Sequence, residues 1–230
     1  MGSKRIIVTG CSRGIGLELV KQLASQGHEV LALSRNVDGL RALAELHKGL
    51  HPLQVEITKT EGLDAIEKFV SSFWGEIDVL IHNAGTLMHK PFKETTLEDF
   101  VKVYQVNVFA VAELTRRLEQ YFKAGSHVVA ISSMGGIQGS LKFAGLSAYS
   151  SSKAAVITLM ELLAEEYKDQ GISFNTLALG AVQTEMLKEA FPDFLAPTTA
   201  TEMAEYIAGF SLNGNKVYNG KVLQVSNSTP

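Results

Sequence analysis

The sequence predicts an α/β protein in which a doubly wound parallel sheet of about seven strands carries helices on both faces. Short β-branched and aliphatic runs alternate with segments whose apolar residues recur at i, i+3 and i+4. The short runs are apolar at successive positions, as strands covered on both faces require. Strands are predicted over residues 5–10, 28–34, 50–57, 77–85, 127–133, 172–179 and 221–225.

Amphipathic segments lie between most of these strands and are predicted to be helices. They cover residues 16–26, 39–47, 63–73, 97–122 and 148–167. Strands that alternate with helices indicate crossover units, which build a parallel sheet. Residues 181–200 are the least regular segment, with two of the five prolines, and are expected to form a small lid. The 230 residues are expected to form one domain.

The composition excludes several classes of partner. Lys and Arg number 21 and Asp and Glu 24, so the net charge is −3, without the basic surface of a nucleic-acid-binding protein. No apolar run approaches the roughly 18 residues that a membrane span needs, and the first residues lack a signal-peptide layout. The one cysteine, Cys11, fits a reducing compartment. We expect a cytoplasmic protein that binds neither nucleic acid nor membrane.

A glycine-rich turn follows the first predicted strand. The segment TGCSRGIG, residues 9–16, places glycines at positions 10, 14 and 16 and runs directly into a helix. Such glycines allow a tight turn and close approach of a pyrophosphate, while the helix N-terminus offers free N–H groups and a positive dipole end. The spacing GxxxGxG differs from GxGxxG and from the P-loop, and a glycine turn without ligand is the alternative. The strand–turn–helix context favours a nucleotide site.

The end of the second strand indicates which dinucleotide is preferred. Sites for NAD(H) place an acidic residue there for the ribose 2′-hydroxyl, whereas an arginine accommodates the 2′-phosphate of NADP(H). This chain has Arg35 at that place, and Arg13 of the glycine-rich turn can approach the same ribose. We predict that NADP(H) is preferred and that NAD(H) remains possible. The alternative is two solvated surface arginines.

Tyr149 and Lys153 are separated by one helical turn and therefore share a helix face. A tyrosine pKa of about 10 must fall by about 3 units, or roughly 4 kcal/mol, for acid–base work near neutral pH. A lysine ammonium about 4 Å away supplies about 4 kcal/mol at an effective dielectric constant of 20. The YxxxK spacing alone is weak evidence, because it arises easily by chance.

Two further polar positions accompany this pair. The fifth strand ends in AISSMGG, so Ser133 is expected beside the cofactor at the carboxyl edge of the sheet, with Ser132 as its rival. Asn107 lies inside an apolar helical run, although asparagine prefers caps and turns. A satisfied core amide is the alternative to a functional role for Asn107.

These motifs together resemble those of the short-chain dehydrogenases/reductases, over nearly the whole chain. TGxxxGxG at residues 9–16, NAG at 83–85, Asn107, Ser133 and YxxxK at 149–153 occur in the order of that family. The resemblance implies a Rossmann-type fold and NAD(P)-dependent redox chemistry of carbonyls and alcohols. It implies that Tyr149 is the general acid/base, Lys153 its pKa modulator and a ribose ligand, Ser133 the substrate orienter and Asn107 the holder of a proton-relay water.

The cofactor-binding residues expected on this basis surround the carboxyl edge of the sheet. They are Gly10, Ser12, Arg13, Gly14, Ile15, Gly16, Arg35, Asn36, Glu56, Ile57, Asn83, Ala84, Gly85, Tyr149, Lys153, Gly180, Val182 and Thr184. The chain departs from the family pattern at His82, at Glu56 in place of aspartate, and at Leu179 before Gly180 in place of proline. Thr184 fits the position that contacts the nicotinamide carboxamide.

The substrate side carries apolar residues and no metal motif. Leu141, Phe143, Leu146, Met186, Leu187, Phe191, Phe194 and Leu195 are candidates for the wall of an apolar pocket, or for packing against the domain. They favour a lipophilic ketone or aldehyde. The six histidines lack metal-site spacing, so no catalytic metal is expected. Helices 97–122 and 148–167 have wide apolar faces, and the family resemblance implies that such helices form a homodimer or homotetramer. Packing on the sheet is the alternative use of these faces.

The hypothesis favoured by the sequence is an oxidoreductase that transfers a hydride between NADP(H) and a carbonyl or alcohol substrate. The first alternative is a non-catalytic dinucleotide-sensing or interaction protein on the same fold. Such a protein has no need of the Tyr, Lys, Ser and Asn constellation that is present here. A second alternative is another Rossmann enzyme, such as a methyltransferase or a sugar epimerase, but an epimerase is expected to carry an appended substrate domain.

Overall fold

Nine strands are present in the computed structural model, which describes residues 2–226; Met1 and residues 227–230 of the predicted domain lie outside this range. The strands are β1 (Arg5–Thr9), β2 (Glu29–Ser34), β3 (Leu50–Gln54), β4 (Ile77–His82), β5 (Phe122–Ser133), β6 (Ser173–Leu179), β7 (Val182–Gln183), β8 (Thr198–Thr199) and β9 (Val222–Val225). Seven of them form one parallel sheet in the order β3-β2-β1-β4-β5-β6-β9, and β7 pairs with β8. The predicted seven-stranded sheet is confirmed.

Eight α-helices accompany these strands. They are α1 (Gly14–Ser25), α2 (Asp38–Leu46), α3 (Thr60–Phe69), α4 (Leu97–Tyr104), α5 (Ala110–Leu118), α6 (Ser147–Glu166), α7 (Glu185–Ala190) and α8 (Ala200–Asn213). The shorter turns are of 3₁₀ or π type, and the π turns cover Val70–Trp74 and Gln105–Phe109. The predicted placement of helices on both faces of the sheet is confirmed.

Alternate side chains of the strands build two separate core layers. Ile6 and Val8 of β1 pack in one layer with Leu23 of α1, whereas Ile7 packs in the other layer with Phe174. All five side chains are fully buried. Because successive residues of a strand point to opposite faces, an uninterrupted apolar run serves both layers. Burial of each such side chain contributes about 1.5–3 kcal/mol, which accounts for the all-apolar strands.

The order in which successive strands are added to the sheet changes direction at β1. β1 pairs with β2 on one side and with β4 on the other, and all three strands run parallel. The connections from β1 and β4 therefore diverge to opposite sides and leave a crevice at the carboxyl ends of these strands. This crevice is where the predicted motifs converge.

The predicted helix over residues 97–122 is wrong in two respects. It is interrupted by the π turn at Gln105–Phe109, and Phe122 is the first residue of β5, which begins five residues before the predicted start at residue 127. The extension of β5 has a local cause, because the Ser126 hydroxyl donates to the Ile77 carbonyl at 2.6 Å and accepts from the Lys123 N–H at 2.9 Å. These bonds hold residues 122–126 against β4.

Helix α8 was not predicted, although the sequence contained a signal for it. The Thr199 side chain accepts from the Glu202 N–H, and the Glu202 carboxylate accepts from the Thr199 N–H. This reciprocal pattern is a capping box, which marks a helix start. Helix α8 buries Ile207 and Leu212 in the same core layer as α1. The unpredicted helix therefore completes one covering layer of the sheet.

His82 and His127 are buried and each contacts an uncharged hydrogen-bond partner. His82 Nε2 lies 2.8 Å from Thr115 Oγ1, and His127 Nδ1 lies 3.0 Å from the Ser211 carbonyl oxygen. Burial lowers the pKa of His82 to about 3 and that of His127 to about 4. Because a buried cation loses its hydration, both imidazoles are neutral in the folded protein at neutral pH.

We predict that the free energy of unfolding falls as the pH drops from 6 to 5. The unfolded imidazole has a pKa of about 6.5, above both folded values, so in this window the unfolded chain binds more protons than the folded chain. The two residues together lower the free energy of unfolding by about 2 kcal/mol over this unit. Urea denaturation of wild type at both pH values measures the change.

The matched variants are His82→Gln and, as control, His47→Gln. The first substitution should reduce the difference between the two pH values by about 1 kcal/mol, because one buried imidazole no longer takes up a proton on unfolding. The control should keep the wild-type difference. An unchanged difference in His82→Gln would contradict the assignment.

Candidate active site

Hydrogen bonds between the ends of β1 and β4 fix the shape of the glycine-rich turn. Asn83, which follows β4, donates through Nδ2 to the Thr9 carbonyl at 3.0 Å and the Gly10 carbonyl at 3.1 Å. Gly10 has φ +75°, and a Cβ there would lie 2.7 Å from the Ala84 Cα. A Cβ at Gly16 would lie 2.2 Å from the Gly10 carbonyl oxygen. The glycines at positions 10 and 16 are therefore required by the packing of the chain on itself.

The N-terminus of α1 is open toward the crevice. Arg13 precedes the helix in an extended conformation and forms no side-chain cap, and the first turn has no acidic residue. The first N–H groups of a helix lack intrahelical partners, and they stand at its positive dipole end. This helix end, with Gly14 as its first residue, has the donors and the space that an anionic dinucleotide needs.

The two arginines predicted to recognise a 2′-phosphate both face carboxylates. Arg13 Nη1 lies 2.5 Å from Glu189 Oε1 of α7, and Arg35 Nη1 lies 3.8 Å from Glu56 Oε2. The Arg35 side chain is 82 % exposed, so it is free to reorient.

A cavity of about 330 Å³ lies beside Arg13. It is lined by Ser12, Arg13, Asn36, Asp38, Gly39 and Leu40. The expected cofactor residues Ser12, Arg13 and Asn36 thus lie together. Asp38 was missed, although it stands only three residues beyond Arg35 in the sequence. Its carboxylate brings a negative charge to the place where a phosphate was predicted.

Several other expected cofactor residues make contacts within the chain. Glu56 follows β3 and accepts from the Thr58 hydroxyl at 2.9 Å, beside the half-buried Ile57. The Gly180 N–H donates to the Val225 carbonyl, and Val182 is buried in β7. The Thr184 hydroxyl accepts from the Leu187 N–H and thereby caps α7. Gly14, Thr184 and Glu185 line a second cavity of about 280 Å³.

Ser133 and Tyr149 meet at the carboxyl end of β5. Burial raises the pKa of Tyr149 above 10, and a hydrogen bond with the Ser133 side chain lowers it by a smaller amount. The Ser132 hydroxyl is used elsewhere, since it donates to the Lys153 carbonyl at 2.8 Å. The structure therefore brings Ser133, and not its rival, to the tyrosine.

Lys153 is buried beneath the crevice. Its Nζ donates to the Ile131 carbonyl at 2.8 Å and lies 5.8 Å from the centroid of the Tyr149 ring. Burial lowers the pKa of Lys153 to about 8. Burial of the phenol is the larger cause of the raised Tyr149 pKa, and the only opposing cause is the hydrogen bond with Ser133. The lowering of the Tyr149 pKa by this lysine stays a prediction.

Asn107 lies in the π turn and is fully engaged within the chain. Its Oδ1 accepts from the Thr86 N–H at 2.9 Å, and its Nδ2 donates to the Thr86 carbonyl at 3.0 Å and to Ser152 Oγ at 2.9 Å. Ser152 in turn donates to the Tyr149 carbonyl at 2.7 Å. Both amide donors are therefore committed, so Asn107 joins the segment after β4 to α6. Its predicted role with a relay water stays a prediction.

The serines between Tyr149 and Lys153 allow α6 to lie close to the turn after β5. A Cβ at Gly135 would lie 2.9 Å from Ser150 Oγ, and one at Gly136 would lie 2.7 Å from the Lys153 backbone carbon. Small side chains on both sides are thus needed for this approach. The turn after β5 and α6 together fix the Tyr149–Ser133 contact.

The apolar residues proposed for a substrate wall are divided between core and surface. Leu146 is buried, whereas Leu141 is 58 % and Leu195 83 % exposed. The Phe191 ring packs on the His89 ring with centroids 4.8 Å apart, so the lid contacts the segment after β4. Phe143 and Phe194 are exposed as well.

Residues 2–226 contain neither a metal-binding cluster nor a membrane-spanning helix. No group of three or more His, Cys, Asp or Glu side chains in this range is arranged to hold a metal ion. No helix in this part of the chain is both long enough and apolar enough to cross a bilayer.

Comparison with known proteins places these features in a family. Residues 4–194 match the model of the short chain dehydrogenase family. The chain is 28% identical over 195 residues to 3beta-hydroxysteroid dehydrogenase 1 of Eggerthella lenta, covering 83% of this chain and 75% of that protein. It is 26% identical over 215 residues to the 3-oxoacyl-(acyl-carrier-protein) reductase FabG of Escherichia coli, covering 93% and 88%.

The fold is also similar to solved structures. A short chain dehydrogenase from Burkholderia cenocepacia, solved in complex with NADP, superposes with a TM-score of 0.87 and 25% identity over 98% of this chain and 97% of that one. The family model spans β1 to α7 and includes both the glycine-rich turn and the Tyr149–Lys153 pair. The chain therefore belongs to the short-chain dehydrogenase family.

Proposed function

We propose that the protein transfers a hydride between NADP(H) and a ketone or aldehyde, or the corresponding alcohol, within a single domain of residues 1–230. The observation that carries this proposal is the buried Lys153 Nζ at 5.8 Å from the Tyr149 ring centroid, with the Ser133 hydroxyl beside the phenol. These three groups provide a proton donor, a hydrogen-bond donor for a carbonyl oxygen and a positive charge at one place.

The raised pKa of Tyr149 suits the reductive direction. The phenol carries its proton at neutral pH and can give it to the substrate oxygen as the carbonyl becomes an alcohol. The Ser133 hydroxyl orients the same oxygen. Lys153, with a pKa of about 8, is largely protonated at pH 7, and its charge stabilises the phenolate that remains. When bound, the dinucleotide supplies the hydride that reaches the carbonyl carbon.

The names of the relatives support this chemistry. A hydroxysteroid dehydrogenase and a 3-oxoacyl reductase both denote reactions at a carbon that bears a hydroxyl or a carbonyl group. The exposed apolar side chains Leu141, Phe143 and Phe194 favour a lipophilic substrate. The lid over residues 181–200 is small, so the substrate site is expected to be open.

The preference for NADP(H) is proposed on the basis of charge. The open N-terminus of α1 would hold the pyrophosphate, while Arg13 and Arg35 would hold the 2′-phosphate. NAD(H) is the second candidate, because Asp38 shares a cavity with Arg13 and an acidic residue suits a ribose 2′-hydroxyl.

A homodimer or homotetramer in the cytoplasm is part of the proposal. Val101 of α4, Phe109 of the π turn and Leu162 of α6 are each at least half exposed. Apolar side chains exposed together on packed helices are typical of subunit interfaces. Helices α4 and α6 pack against each other, which supports an interface on this side.

We predict that the purified protein oxidises NADPH in the presence of members of a panel of ketones, aldehydes, quinones and 3-oxoacyl thioesters. Tyr149→Phe should lower kcat by about 10²- to 10⁴-fold, because the proton donor is lost, while the dissociation constant for NADPH stays nearly unchanged. Steady-state kinetics and a fluorescence titration measure the two effects. A Tyr149→Phe enzyme with most of its activity would refute the mechanism, and inactivity of wild type on the whole panel would favour the non-catalytic alternative.

Lys153→Met should impair both binding and turnover. The substitution keeps the length of the side chain but removes the buried ammonium group, which we assign to the ribose and to the phenolate. We expect kcat to fall by at least about 10²-fold and the dissociation constant for NADPH to rise several-fold. Lys102→Met, at an exposed position of α4, is the control and should match wild type in both measurements. An effect of Lys153→Met on turnover alone would argue against a ribose contact.

Wild type should bind NADPH more tightly than NADH, and Arg35→Gln should weaken NADPH binding about ten-fold, the size of one charge-assisted contact. Binding of NADH, which has no 2′-phosphate, should change little. Fluorescence titration with both dinucleotides tests this expectation, with Arg116→Gln of α5 as a matched loss of charge. Equal affinities of wild type for the two dinucleotides, or tighter binding of NADH, would contradict the assignment of Arg35.

A further inference from the structure

Helix α7 lies across the mouth of the crevice and is fastened on both sides. Glu189 forms the 2.5 Å ion pair with Arg13 of the glycine-rich turn. Phe191, just after the helix, packs against the His89 ring of the segment after β4 with a tilted geometry. Arg13 and Glu189, which are 176 positions apart, are thus joined over the glycine-rich turn of residues 9–16, the cradle that is proposed to hold the dinucleotide.

The same helix directs two carboxylates at this cradle. Glu185 and Glu189 are one turn apart and therefore share a face of α7. Glu185 Oε2 would lie 3.4 Å from a Cβ built on Gly14, the first residue of α1. Both glutamates raise the pKa of Arg13, Glu189 chiefly through the hydrogen bond and Glu185 through its charge. The two carboxylates lie where the proposed function puts the phosphates of a dinucleotide.

We propose that Glu189 is a specificity-determining residue for the cofactor, because it competes with the 2′-phosphate of NADP(H) for the guanidinium of Arg13. Binding of NADPH then requires the Arg13–Glu189 pair to open, whereas binding of NADH leaves the pair in place. This inference rests on the proposed function, since it presumes that the cradle binds a nicotinamide dinucleotide. The lid helix therefore reduces the preference for NADPH that Arg13 would otherwise give.

The strength of the ion pair is suited to such competition. The side chains of Arg13 and Glu189 are 50% and 63% exposed, so water and salt weaken their attraction. A phosphate monoester carries more charge than a carboxylate and can take two parallel bonds from a guanidinium. The phosphate therefore displaces the carboxylate, and opening the ion pair weakens NADPH binding only by a small factor.

Glu185 has a different expected effect. It stands at the N-terminus of α1, where the pyrophosphate would bind, and the pyrophosphate is common to both dinucleotides. Removal of its charge should strengthen NADPH and NADH binding to the same extent. Glu189 is thus expected to discriminate between NADPH and NADH, whereas Glu185 is not.

The test is a fluorescence titration of wild type, Glu189→Gln and Glu185→Gln with NADPH and with NADH. Glu189→Gln should lower the dissociation constant for NADPH by about two- to five-fold, the weight of an exposed ion pair, and leave that for NADH unchanged. Glu161→Gln, at an exposed position of α6, loses the same charge and should match wild type with both ligands. No effect of Glu189→Gln on NADPH binding, or an equal effect on both dinucleotides, overturns the inference.

A double-variant cycle tests the route through Arg13. Arg13→Gln should weaken NADPH binding but not NADH binding, and in that background Glu189→Gln should have no further effect. A persistent two- to five-fold gain without the arginine would show that Glu189 acts elsewhere and would overturn the inference. If wild type binds neither dinucleotide, the proposed function itself fails; if wild type binds NADPH and only the predicted effect of Glu189→Gln is absent, this inference alone fails.

Discussion

The amide of Asn83 is the contact on which the rest of the site depends. Its Nδ2 bridges the carbonyls of Thr9 and Gly10 and so ties the end of β4 to the end of β1, where the strand order reverses. The approach is possible only because Gly10 and Gly16 lack a Cβ. A carbonyl pair left without a donor at this depth would cost about 1–3 kcal/mol for each group. The glycine-rich turn is therefore positioned from within the protein before any ligand binds.

The pKa values of two groups at the base of the crevice are shifted in opposite directions. Burial raises the pKa of the Tyr149 phenol and lowers that of the Lys153 ammonium, so burial alone favours the neutral form of each. The Ile131 carbonyl partly replaces the lost hydration of the lysine. Loss of the phenolic proton would create an anion near this cation, and the pair would then stabilise each other. The site therefore stabilises the pair of opposite charges that is present once a proton has left the tyrosine.

The sheet and the catalytic motifs could be predicted from the sequence because their signals are local. Short, largely apolar runs identified the seven strands, and the Tyr149–Lys153 spacing needed only one helical turn to be interpreted. Helix α8 was missed although its capping box is equally local. The Arg13–Glu189 pair could not be predicted, since nothing in either segment indicates a partner so distant in sequence. The direction of the Tyr149 pKa also depends on burial, which spacing does not reveal.

The π turn at Gln105–Phe109 has a consequence for how the two helices around it are oriented. One additional residue in a turn rotates everything downstream by about 100° relative to an uninterrupted α-helix. Helix α4 packs on α6, whereas α5 packs on α3, so the faces that the two helices bury point in different directions. Asn107 lies at this change of phase, where its side chain reaches Thr86 and Ser152 together. The rotation introduced by the π turn, rather than the length of the helix, therefore determines which residue lies beneath the crevice.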